Sequence, residues 1–112
     1  MSQFETGGKK MIVRVLMTRK MTKQPKGMEH DLLPKLSELL IELRALANRQ
    51  PGYISGETLR NVDDPNEYVV ISTWKNREAW DKWFANELRA EMEAKVDALI
   101  GSPTIYKVFS YD

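Results

Sequence analysis

All three tryptophans of the chain, Trp74, Trp80 and Trp83, fall within ten positions. Each offers a large apolar surface and one N–H donor, so together they form either the heart of a core or the wall of a pocket. Trp80 and Trp83 read first as core; Trp74 stays open between the two. Arg89 and Glu93 follow, one helical turn apart. Arg89 could stabilise an anion, or lie in solvent. Glu93 could give or take a proton if apolar neighbours strip it of water. Otherwise it joins a charged face with Glu87, Glu91 and Lys95, and that reading is favoured. His30, the only histidine, could act as a base near neutrality, although Glu29 and Asp31 beside it suggest an exposed helix start. Tyr53, Tyr68 and Tyr106 offer hydroxyls from strands, and Tyr68 shares a strand face with Trp74. Arg14 and Arg60 are charges on otherwise apolar strands. If buried, each needs a partner such as Glu57, within or between chains, or an anionic ligand; the pair is favoured. The catalytic candidates are therefore Trp74, Trp83, Arg89 and Glu93. The substrate-binding candidates are Tyr68, Trp80, His30 and Arg60.

Composition removes several classes of chemistry. With no cysteine among 112 residues, disulfides, thiol catalysis and thiolate metal sites are excluded, and the chain suits a reducing cytosol. No metal-ligand spacing, phosphate loop, dinucleotide fingerprint or serine triad occurs, so neither a metal nor a cofactor is indicated. The formal net charge is +1, with both signs interspersed. Only Lys9 to Lys26 leans basic, and because its residues flank a strand and a loop it reads as a solvated rim, not a nucleic-acid surface. The opening MSQFETGGKK lacks the apolar stretch of a signal peptide. No apolar run approaches the roughly 20 residues that span a membrane. A cytoplasmic protein that binds neither nucleic acid nor membrane is expected.

The elements that must position these residues follow from periodicity. Residues 1–10, with Gly7-Gly8, read as a flexible arm, leaving one domain over 11–112. Met11–Thr18 is a β-prone run and the first strand. A helix begins near Asp31, with Pro34 in its first turn and a wide stripe from Leu32 to Leu46. Pro51-Gly52 ends it and opens a second strand, Tyr53–Val62, in which Gly56 signals a bulge or a close approach. Asp63-Asp64-Pro65-Asn66 turns the chain into the strand that ends at Trp74. Asn76 caps a helix running to Ile100, with a kink near Asn86, and Thr104–Ser110 is the last strand. The order β-α-β-β-α-β gives an α+β, ferredoxin-like antiparallel sheet with its helices on one face. Strand one alternates Met11, Val13, Val15 and Met17 against Ile12, Arg14, Leu16 and Thr18, so both sides are largely apolar. No segment remains to cover the second side. A two-fold homodimer through the sheet faces is expected to do so.

The stretch PGYISGETLRNVDDPNEYVVISTWKNREAWDKWFANELRAEME resembles the antibiotic biosynthesis monooxygenase domain family, the dimeric α+β barrels, and the likeness extends from about Met11 to Phe109. Its most specific part is a strand ending in Trp74, followed by aromatics at Trp80 and Trp83; Pro51-Gly52-Tyr53 is a weaker match. The resemblance implies the fold, the dimer, and a pocket between sheet and helices for a small apolar or aromatic ligand. Members include cofactor-free oxygenases of phenolic compounds, haem-degrading oxygenases and proteins without assigned activity. In haem-degrading members the helix tryptophan corresponds to Trp83, but their haem-ligating histidine falls at Glu93 and their strand-one asparagine has no counterpart. In quinone-forming members the tryptophan that ends the third strand corresponds to Trp74, and their next aromatic to Trp80. Their strand asparagine falls at Val70, and their helix arginine falls near Glu93, with Arg89 one turn away. The implied activity is a cofactor-independent monooxygenase of a phenol or hydroquinone. The alternatives are a non-catalytic binding or stress-related module and, further off, a haem-degrading oxygenase.

Overall fold

β-Branched and aromatic side chains dominate the strands, and leucines three or four apart dominate the helices, so the two periods separate cleanly along the chain. The computed structural model describes residues 11–22 and 29–111, the side chains of 29–33 excepted. The arm read at 1–10 lies outside the described residues, and so does the side chain of His30. In chain order the elements are β1 (Val13–Lys20), α1 (Glu29–Asn48), β2 (Tyr53–Arg60), β3 (Glu67–Trp74), α2 (Arg77–Phe84), α3 (Glu87–Ile100) and β4 (Ile105–Ser110). The sheet order is β2-β3-β1-β4, antiparallel throughout. This is the expected α+β ferredoxin-like fold.

Several boundaries move, each for a physical reason. β1 runs two residues beyond Thr18, because Arg19 finds a carboxylate beneath the sheet and need not turn to water. β2 stops at Arg60, where the Asn61 side chain takes over the turn by donating to Glu67 at 2.7 Å. α1 already runs at Glu29, so Asp31 is not its cap and Pro34 lies inside a helix of 20 residues. The kink expected near Asn86 is a full break. Asn86 has extended backbone, and its side chain accepts from the Arg89 N–H at 2.9 Å, capping a new helix. Asn76 caps α2 in the same way through Ala79 at 2.8 Å. The break turns Leu88 half into solvent.

Val13 and Val15 face the helices and pack with Trp74, Trp80, Trp83, Met92, Val96, Ile100, Leu36 and Leu43 in one core. Gly52 joins α1 to β2 with φ of 87°, and a Cβ there would lie 2.5 Å from that of Ala79. Only glycine brings the chain that close to α2. Among the described residues the opposite side of the sheet carries no helix. It presents Ile105 and Phe109, 55% and 50% exposed, and Leu59 at 47%, around a centre formed by Leu16 and Ile71, paired across β1 and β3. Among the described residues no helix is long and apolar enough to cross a membrane.

Candidate functional site

Between α1, α2 and the helix-facing side of β1, β2 and β3 lies an open cavity of about 190 Å³. Strand alternation places Tyr68, Val70, Ser72 and Trp74 of β3 on this side. Helix periodicity brings Leu40, Leu43 and Ala47 of α1, and Trp80 and Trp83 of α2, over them. The aromatic wall is ordered edge to face. Tyr53 meets Trp74 at 5.2 Å and 84°, and Trp74 meets Trp80 at 5.8 Å and 65°. Such contacts fix ring orientation better than aliphatic packing does. Gly56 lets the Tyr53 hydroxyl lie over its backbone, since a Cβ there would collide with it. This is the close approach expected at Gly56; the register irregularity of β2 falls earlier, between Tyr53 and Ser55.

The polar end of the cavity is built on Arg19, which is 2% exposed. Its guanidinium donates to both oxygens of Glu93, Nη1 at 2.6 Å and Nη2 at 3.0 Å. Nη1 also donates to the Thr104 hydroxyl at 2.8 Å, which in turn donates to Asp97 at 2.7 Å. Burial alone pulls the Arg19 pKa down, but the hydrogen bond and charge of Glu93 outweigh it and hold the pKa above its ordinary value. Burial pushes the Tyr68 hydroxyl up, against the pull of Arg19, so Tyr68 keeps its proton at neutral pH. The Trp74 indole N–H is already engaged, donating to Ser72 at 3.0 Å.

Of the candidate residues, Trp74, Trp80, Trp83, Tyr68 and Glu93 come together around the cavity. The tryptophans are core and wall at once. Several expectations are corrected here. Glu93 does not join the charged helix face: its α3 position points at the sheet, where Arg19 neutralises it. Arg19 is accordingly no part of a solvated basic rim. Arg89 does not line the cavity. It is buried behind it, donating to the Phe84 carbonyl at 3.0 Å and the Tyr106 hydroxyl at 2.6 Å, with its guanidinium stacked 4.5 Å from the Phe84 ring. Arg60 is exposed at the end of β2, opposite Tyr68, and does not line the cavity either. Among the described residues neither Arg60 nor Arg14 makes an ion pair; Glu57 stands opposite Ile71 of β3 instead.

Arg19, Thr104 and Asp97 were not singled out in the sequence. The signal for Arg19 was present: it continues the inward alternation Val13, Val15, Met17 by one step. Ending the strand at Thr18 concealed it. Among the described residues no group of three or more carboxylates or imidazoles converges as a metal site requires.

Solved structures share this architecture. The cofactor-independent oxygenase SnoaB from Streptomyces nogalater superposes with a TM-score of 0.72 at 20% identity, over 91% of this chain and 94% of its own. A conserved protein from Methanosarcina mazei gives 0.75 at 12% identity, over 92% and 95%. Rv0793 from Mycobacterium tuberculosis gives 0.71 at 19%, over 90% and 95%. At these identities the likeness is one of fold. No curated protein matches the sequence. The family model for antibiotic biosynthesis monooxygenase matches residues 23–95, from before α1 to within α3 and across the aromatic wall of the cavity. The chain belongs to the antibiotic biosynthesis monooxygenase family.

Proposed function

We propose that the protein is a cofactor-independent monooxygenase of small phenols or hydroquinones, working as a homodimer joined through its open sheet faces. The observation that carries this reading is the cavity: an aromatic wall of Trp74, Trp80, Trp83 and Tyr53 that ends in a buried polar cluster. The chemistry asks little of a protein. A phenol that loses its proton becomes an electron-rich anion able to reduce dioxygen itself. One oxygen atom enters the ring as a carbonyl, and the other leaves as water with the ring and hydroxyl hydrogens. The protein holds the ring, excludes bulk water and stabilises the anion with fixed donors. An apolar cavity of about 150 Å³ takes up benzene, so about 190 Å³ with an open mouth suits one or two fused rings.

Oxygen uptake with phenols, naphthols, hydroquinones and anthrones tests the activity. One mole of oxygen consumed per mole of quinone formed is expected, with no added cofactor. A second reading, binding without turnover, has its own support: both Glu93 oxygens are held by Arg19, and Val70 provides no donor. Quenching of tryptophan fluorescence by these compounds with no oxygen uptake would establish it. For the dimer, light scattering at micromolar concentration should give twice the 13.0 kDa of the chain. A 13.0 kDa particle would contradict it.

A further inference from the structure

The two strands that meet beneath the cavity each bring one hydrogen-bond donor that finds no partner among the described residues. Arg19 spends both Nη atoms on Glu93 and Thr104, yet its Nε–H, also buried, has no acceptor among the described residues. The Tyr68 hydroxyl is buried and without a partner in the same way. These residues face one another directly in the β1–β3 register, on the helix side of the sheet, and both line the cavity. Directly opposed residues stand about 5 Å apart at Cβ. Two unmet buried donors side by side are rare, because each forfeits its hydration without return.

We propose that Arg19 Nε and the Tyr68 hydroxyl together receive one oxygen of the aromatic ligand, so the site selects rings that carry an acceptor oxygen, a phenolate or a quinone carbonyl. The inference rests on the aromatic reading of the cavity and sets the ligand's orientation within it: oxygen toward Arg19, ring against the tryptophan wall. Glu93 is then a positioning residue. By gripping both Nη atoms it fixes the plane of the guanidinium and leaves the Nε–H unspent. Since Glu93 already balances the Arg19 charge, hydrogen bonding to the oxygen, and not net charge, sets the selectivity.

The test is anaerobic binding, read by tryptophan fluorescence, with three rings of similar size: 1-methylnaphthalene, 1-naphthol and 1,4-naphthoquinone. The chain has no cysteine to add to the quinone. Wild type should bind the two oxygenated rings about tenfold more tightly than 1-methylnaphthalene. Tyr68→Phe should cut that preference by about threefold to tenfold, leave 1-methylnaphthalene unchanged, and melt no lower than wild type, since the deleted hydroxyl bonds nothing. Arg19→Lys keeps a cation for Glu93 but removes Nε, and should also reduce the preference; if it does not fold, Tyr68→Phe alone decides. Equal binding of all three rings by wild type, or equal loss for all three in Tyr68→Phe, would overturn the two-donor assignment and leave the aromatic pocket standing. Failure of wild type to bind any of the three would overturn both.

Discussion

Removing the Glu93 carboxylate leaves the Arg19 guanidinium buried and uncompensated, whereas keeping both ends buries a satisfied pair. Breaking such a pair from one side costs about 3–5 kcal/mol. Glu93→Gln should lose that much in urea unfolding. The exposed Arg77–Asp81 pair is the internal control: at 3.0 Å but 59% and 55% exposed at its side chains, it contributes at most about 0.5 kcal/mol. Asp81→Asn should be near neutral, and equal losses at the two sites would contradict the burial argument. Tyr106 adds a dependence on pH. Burial first, then Glu93, pushes its hydroxyl up to about 12 from 10.0. The unfolded chain therefore gives up that proton first. The stability this provides is complete below about pH 10 and falls as pH rises toward about 12. Unfolding free energies at pH 9 and pH 11.5 should show the decline; a flat profile would contradict it. Single-residue types could not reveal these roles. Glu93 looks like its neighbours Glu87 and Glu91 until the partner strand is known.

At the scale of elements, two glycines separate conformational need from space. Gly52 sits at φ of 87° with the Ala79 Cβ in the way, so Gly52→Ala meets backbone strain and a collision on a helix that cannot move freely. It should destabilise by about 1–3 kcal/mol. Gly56 has no such φ, and what blocks its Cβ is the far end of Tyr53. Gly56→Ala should fold nearly as well as wild type while displacing Tyr53 from Trp74 and weakening ring binding severalfold. Thermal melts and fluorescence titration of the two variants check this; equal binding by Gly56→Ala and wild type would remove Tyr53 from the wall. Much at this scale was legible in advance: the strand and helix order, the Asn76 cap, and the tight fit at Gly56 each left a local mark. The break at Asn86 was legible only as a kink, because the apolar spacing of Trp80, Trp83, Met92 and Val96 carries almost unbroken across it. The end of β1 was legible only in its alternation, because the carboxylate that lets Arg19 be buried lies 74 positions away.

For the whole molecule the governing fact is a sheet with helices on one side only. The open side centres on Leu16 and Ile71, the helix side on Val15 and Trp74, so the two surfaces can be altered separately. Leu16→Lys places a charge where the partner's apolar face would lie, and should halve the particle mass in light scattering while leaving the fold intact. A dimer that survives the substitution would place the interface elsewhere. The second face could be inferred from strand alternation alone, whereas the cavity could not. Its volume comes from α1 residues such as Leu40 and Ala47, whose distance from the sheet no spacing encodes.

Transfer of oxygen to a bound phenol is the centre of this account, and isotope labelling tests it most directly. With ¹⁸O₂ and 1-naphthol, and no cofactor added, the quinone formed should carry one labelled oxygen, with the second recovered in water. Tight binding of 1-naphthol with no labelled product would contradict the account and leave the protein a binder of aromatic rings.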